Sequence, residues 1–151
     1  MDLLANQVFW TAILANFLAQ ALKLFLYYRL EGRFQWERFL ESGGMPSSHA
    51  ATVSALAVAV GLKEGFHSPL FAVAAILALI VMYDATGIRR AAGLHAQLLN
   101  QLVQEFQEVL RKGPKPEPLK ELLGHTYLEV FVGALLGLLV ALGVHYLFPA
   151  A

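Results

Sequence analysis

Residues 42–60 read SGGMPSSHAATVSALAVAV. Gly43, Gly44, Pro46, Ser47, Ser48 and His49 stand directly before a run of alanine and valine. Proline suits a first helical turn, serine caps a helix N-terminus, and glycine lets backbone approach a ligand closely. A helix is therefore predicted from Ser48 to Lys63. Its polar mouth has the make-up of an anion site, because free N–H groups and the helix dipole both favour negative charge there. An ordinary cap needs only Ser47 or Ser48; His49 exceeds that need.

The apolar run belongs to a chain with the composition of a membrane protein. Hydrophobic residues make up 58% and charged residues 15% of the 151, against roughly 45–50% and about 25% in soluble domains. A hydrocarbon core of about 30 Å takes roughly 20 helical residues. Spans are predicted over about 7–28, 48–63, 69–83 and 127–148, the middle two joined by the tight turn KEGFHSP. These two are short and are expected inside the bundle. No basic residue precedes the first span, so it reads as a retained helix rather than a secretory signal. The expected fold is all-α: one membrane domain of about four transmembrane helices plus an amphipathic helix.

Basic residues set the expected orientation. Arg29, Arg33 and Arg38 lie between spans one and two, and Arg89, Arg90, Arg111, Lys112, Lys115 and Lys120 between spans three and four. The hairpin turn carries Lys63 alone. Cytoplasmic loops hold the excess of lysine and arginine, so both termini are predicted outside the cytoplasm, in a multi-pass protein of the cell (inner) membrane. Every unusual polar cluster then arrives at the cytoplasmic face.

Several residues of those clusters suit phosphate chemistry. Asn16, Gln20, Lys23 and Tyr27 stack on one helix face, and a lysine inside a span usually faces a cavity or partner rather than lipid. Snorkelling to the nearby interface is the plainer alternative. Arg89 and Arg90 supply fixed charge and bidentate donors, though orientation alone also calls for paired arginines after a span. From about 91 to 111, Leu94, Leu98, Leu99, Leu102, Phe106 and Leu110 make an apolar stripe opposite glutamines and glutamates, with His95 in the apolar face. That is an amphipathic helix for the membrane surface or the bundle. His125 and Glu129 stand one turn apart; they are too few for a metal site, and pairing of the carboxylate with Lys23 inside the bundle is a plainer reading than orienting the histidine. Gly133 and Gly137 form a face for close helix packing. The chain has no cysteine, which removes disulfides and thiolate chemistry together.

As a set, SGGMPSSHAA, YDATGIRRAAG, LLNQL and ELLGHT resemble the divergent branch of the type 2 phosphatidic acid phosphatase family, which is related to vanadium-dependent haloperoxidases. The likeness runs from Lys23 into the fourth span. In that superfamily a Pro-Ser-Gly-His motif holds the histidine that protonates the leaving group. A Ser-Arg motif leads, five residues on, to a nucleophilic histidine and then to its orienting aspartate. Pro46, Ser47, Ser48 and His49 match the first with serine for glycine; Arg89 and His95 match the spacing of the second. The resemblance thus implies His95 as nucleophile and His49 as proton donor. Lys23, Arg89, Arg90, Ser47 and Ser48 would hold the phosphate, with no metal and no cofactor. Departures are Ile88 at the serine, Leu99 at the aspartate, and Arg29 one residue early for the arginine expected after Lys23. Asp84, Glu129 or Asn100 would have to replace the missing acid.

The function implied is hydrolysis of a phosphomonoester or diphosphate of a lipid-type substrate at the cytoplasmic interface. The alternative is a non-catalytic membrane protein that binds anionic lipid headgroups, or a small scaffold or transporter component. Vanadate-dependent halide oxidation follows from kinship of fold alone. Expected partners are membrane lipid, a phosphate-containing lipid substrate or headgroup, and a second copy in a homodimer, with no nucleic acid.

Overall fold

The computed structural model describes residues 5–32, 43–110, 117–119 and 124–149, the side chains of 107–110 excepted. Expectations for Arg33, Arg38, Arg111, Lys112, Lys115 and Lys120 lie outside the described residues. Five helices follow in order: α1 (Gln7–Glu31), α2 (Ser48–Glu64), α3 (Pro69–Thr86), α4 (Ile88–Leu110) and α5 (Tyr127–Leu147). There is no strand among the described residues. Three helices are long and apolar enough to cross a membrane: α1, α3 with its continuation into α4, and α5.

Local chemistry starts these helices where the sequence allows. Asn6 accepts the Phe9 amide at 3.1 Å, Ser47 that of Ala50 at 3.3 Å, and Ser68 that of Phe71 at 3.2 Å, each supplying one of the acceptors that a helix N-terminus lacks. At α5 the Thr126 hydroxyl accepts the Glu129 amide at 3.3 Å while the Glu129 carboxylate accepts the Thr126 amide at 3.1 Å. That reciprocal pair is a capping box.

The bundle is built with small residues inside and large ones outside. Ala15, Ala19, Ala51, Ala55, Ala59 and Ala141 form the main buried cluster. A β-carbon on Gly133 would run into the Ser47 carbonyl and stand 3.1 Å from the Ala50 Cβ; one on Gly137 would meet the Ala51 carbonyl and stand 2.9 Å from the Ala55 nitrogen. Only glycine lets α5 lie this close to the α2 backbone, the small-residue packing that replaces hydrophobic drive inside a bilayer. Outward, Phe17, Phe25, Val73, Ile76, Leu79, Ile80, Phe131 and Leu139 are exposed. In water such a surface is a liability. Against lipid tails it is the ordinary solvated face.

Two expectations change. Of the short middle helices only α2 sits inside, touching α1, α3 and α5. Its 17 residues reach about 25 Å at 1.5 Å each, short of the hydrocarbon thickness. Helix α3 is peripheral, burying only Ala74, Ala78 and Ala85, because most of its other positions are large apolar residues suited to lipid. The amphipathic helix also starts earlier than 91: α4 begins at Ile88, so Arg89 and Arg90 lie in its first turn, just past Gly87. Its apolar residues Leu94, Leu98, Leu99, Leu102 and Phe106 are exposed.

The poles of the bundle are tied. Gln7 donates its side-chain amide to the Phe148 carbonyl, which joins the start of α1 to the end of α5. At the other pole the Ser47 amide donates to the Glu129 carbonyl at 3.0 Å, and the His125 amide to the Ala85 carbonyl at 2.9 Å. The starts of α2 and α5 and the end of α3 therefore meet at one place.

Candidate functional site

That meeting place carries nearly all of the polar residues singled out in the sequence. Lys23 comes from α1 with 1% of its surface exposed, so it faces the bundle and does not snorkel. Its charge acts on the rings of both His49 and His125. Those two rings lie with centroids 6.3 Å apart and planes inclined by 61°. His49 is half-buried at the second position of α2; His125 is 3% exposed, just before α5.

Glu129 turns to His125. Its Oε2 lies 3.0 Å from His125 Nδ1 and accepts the Thr126 amide as well. Of the uses weighed for this carboxylate, orienting a histidine is one that the structure shows. Burial pushes the His125 pKa below its ordinary value, helped by the Lys23 charge and opposed by the hydrogen bond and charge of Glu129. The ring is thereby held neutral over more of the pH range.

The arginines approach from α4. Arg89 Nε pairs with Asp84 Oδ2 at 2.6 Å, so Asp84 anchors an arginine rather than orienting His95. Arg90 lines a cleft of about 220 Å³ together with Gly43, Gly44, Gln97, His125 and Glu129. Gly124 presses against the Arg90 backbone, where a β-carbon would stand 2.8 Å from the Arg89 carbonyl carbon. Its φ of +84° is one that L side chains rarely adopt. This glycine sets how close the arginine turn comes to His125.

Two expected residues take other parts. Ser47 is fully buried; its amide goes to Glu129 and its hydroxyl to the Ala50 amide, so neither faces a ligand. Since the first four N–H groups of a helix lack intrahelical acceptors, Ser48 and His49 supply the amides that remain at this mouth. His95 is exposed within the apolar stripe of α4. The cleft is lined from α4 by Arg90, Gly93, Leu94 and Gln97, and at 3.6 residues per turn His95 falls on roughly the opposite side of the helix. Asn100 is also engaged elsewhere, in two 2.9 Å hydrogen bonds with the Leu119 backbone.

Sequence reasoning missed Gln97 as a cleft residue. Its spacing of seven from Arg90 places both on one helix face, a signal present but shared with many surface glutamines. Arg90 and the Glu129-held ring of His125 line the cleft, and with His49 and the buried Lys23 beside them they make a set that can bind a phosphate oxyanion and move protons at it.

The profile of the Divergent PAP2 family matches residues 4–140. The chain belongs to that family. A relative is the "uncharacterized membrane protein YuiD" of Bacillus subtilis (strain 168), 41% identical over 157 residues covering 98% of this chain and 99% of the relative. No solved structure matches the chain. As a divergent PAP2 protein with membrane-length helices, it is a membrane protein related to phosphatases.

Proposed function

We propose that this divergent PAP2 protein is a membrane phosphohydrolase that cleaves a phosphate ester of a lipid-type substrate through a histidine nucleophile. One observation carries the reading: Lys23, His49, His125 and the Arg89–Arg90 turn converge at one pole of the bundle. Phosphoryl transfer asks little of a protein beyond positioning and charge compensation. Lys23, Arg90 and the α2 amides compensate the phosphate oxygens, and His49 protonates the leaving oxygen and then takes a proton from water. Membership of the Divergent PAP2 family adds kinship with phosphatases.

The lipid nature of the substrate is supported by a second surface. An apolar groove of about 560 Å³ lies between the lipid-facing sides of α3 and α5, lined by Leu79, Ile80, Met82, Tyr83, Tyr127 and Val130. Tyr127 and Val130 lie in the first turn of α5, as Glu129 of the cleft does, so the groove opens at the same pole. A hydrocarbon chain lying there leaves its phosphate near His125. The excess of basic residues between α1 and α2 and between α3 and α5 assigns this pole to the cytoplasmic side.

Purified protein in detergent is incubated with phosphatidate, phosphatidylglycerophosphate or a prenyl diphosphate, and released phosphate is measured. Turnover is expected with at least one of them, falling about a hundredfold or more in His49→Ala, in line with loss of a general acid. Tight lipid binding with no phosphate released by the unaltered protein assigns the site to headgroup binding instead.

A further inference from the structure

We infer that His125, held by Glu129, is the nucleophile that accepts the phosphoryl group, and that this pair takes the place of His95 and the carboxylate that His95 lacks. The inference rests on the phosphohydrolase reading and names the residue at its centre.

A nucleophilic imidazole needs one nitrogen free to attack, a partner holding the other N–H, and a neutral ring at the working pH. His125 meets them once one contact gives way, since the Gly44 backbone also hydrogen-bonds the ring. Its Nδ1 lies 3.0 Å from Glu129 Oε2. That carboxylate is itself fixed, because the same oxygen accepts the Thr126 amide while the Glu129 amide is bound by the Thr126 hydroxyl. The backbone of His125 is tied to Ala85. Burial keeps the ring neutral. It lines the cleft that also holds Arg90, and His49 stands close enough for both imidazoles to reach one bound phosphate. By contrast His95 sits exposed among leucines, with Leu99 where a carboxylate would be needed.

The steps balance. Nε2 of neutral His125 attacks phosphorus, displacing the contact that the Gly44 backbone makes with the ring. The bond from phosphorus to the substrate's ester oxygen breaks, and protonated His49 gives its proton to that oxygen. Nδ1–H stays hydrogen-bonded to Glu129, whose charge offsets the positive phosphoimidazole. Water then attacks phosphorus, its proton passes to His49, the N–P bond breaks, and inorganic phosphate leaves with both imidazoles restored.

The test uses the full chain in detergent and phosphatidate labelled at phosphorus. The reaction is quenched in alkali, where phosphohistidine survives, and the labelled peptide is mapped. Label on His125 is expected. Glu129→Gln, which keeps an oxygen for the Thr126 amide, is expected to lower kcat about a hundredfold with KM within about twofold. Label on His95, or full kcat in Glu129→Gln, overturns the assignment while leaving the phosphohydrolase reading intact. If no lipid phosphate is hydrolysed by the unaltered protein, both fall together.

Discussion

Glu129 shows how one side chain acquires its role from its neighbours. Its spacing from His125 is plain in the sequence, but which of several cations or rings it serves depends on the Thr126 cap, which fixes the carboxylate beside the imidazole. His95 is the converse. Its distance from Arg89 matches a known motif, yet spacing along the chain does not say which side of α4 faces the cleft. Lys23 was legible from its polar stripe, and burial bears that reading out. A pH effect follows from His125, whose pKa falls on folding. Above the ordinary value of 6.5 the folded state has its full share of this stability. As pH falls toward the lowered value, the unfolded chain binds a proton that the folded chain refuses, so stability drops. Thermal unfolding in detergent between about pH 7.5 and 5 is expected to show the drop, and His125→Asn to flatten it. A second residue-scale effect belongs to Gly124: alanine there meets both a positive φ and the Arg90 backbone. A loss of at least about 1 kcal/mol is expected on thermal unfolding, together with weaker binding of vanadate, a phosphate mimic, because the arginine turn moves away.

Among the elements, α2 and α3 look alike by length, at 17 and 18 residues, yet occupy different places. What separates them is side-chain size. Alanine and glycine on several faces of α2 admit three neighbours, whereas α3 buries small residues along one line only, Ala74, Ala78 and Ala85. Length and overall hydropathy hide that difference; the distribution of volume around each helix would have shown it. The start of α4 was misread for another reason: two arginines at a helix N-terminus oppose the dipole, and the Asp84–Arg89 pair that offsets this spans the α3–α4 junction. The α2–α5 contact gives a sharp test. Alanine at Gly137 collides with the Ala51 carbonyl, while alanine at Gly143, on the same helix, meets nothing within 4 Å. Gly137→Ala is expected to cost about 1–3 kcal/mol, the usual range for overpacking, and Gly143→Ala to leave the melting temperature unchanged or slightly raised. Equal effects from the two would mean that α5 does not lie against α2 as described.

At the scale of the molecule, helix order fixes which ends share a pole, but charge alone fixes which pole faces the cytoplasm. The first point is structural: Gln7, Lys63 and His145 line one small pocket, so the N-terminus and the α2–α3 turn lie together, away from the histidine cluster. The second rests on lysine and arginine: Arg29 in the last turn of α1 and eight more between α1 and α2 or between α3 and α5, against Lys63 alone in the last turn of α2. Because the chain has no cysteine, single replacements report cleanly. In intact cells a membrane-impermeant maleimide is expected to label Ala5→Cys and His67→Cys, and to label Glu117→Cys only after permeabilisation. Opposite labelling of Ala5→Cys and His67→Cys would contradict the bundle itself, since one pole holds both. If those two agree with each other but are reached only after permeabilisation, the bundle stands and its orientation is reversed. The phosphate cleft would then open to the outside, and its substrate would have to come from the outer leaflet.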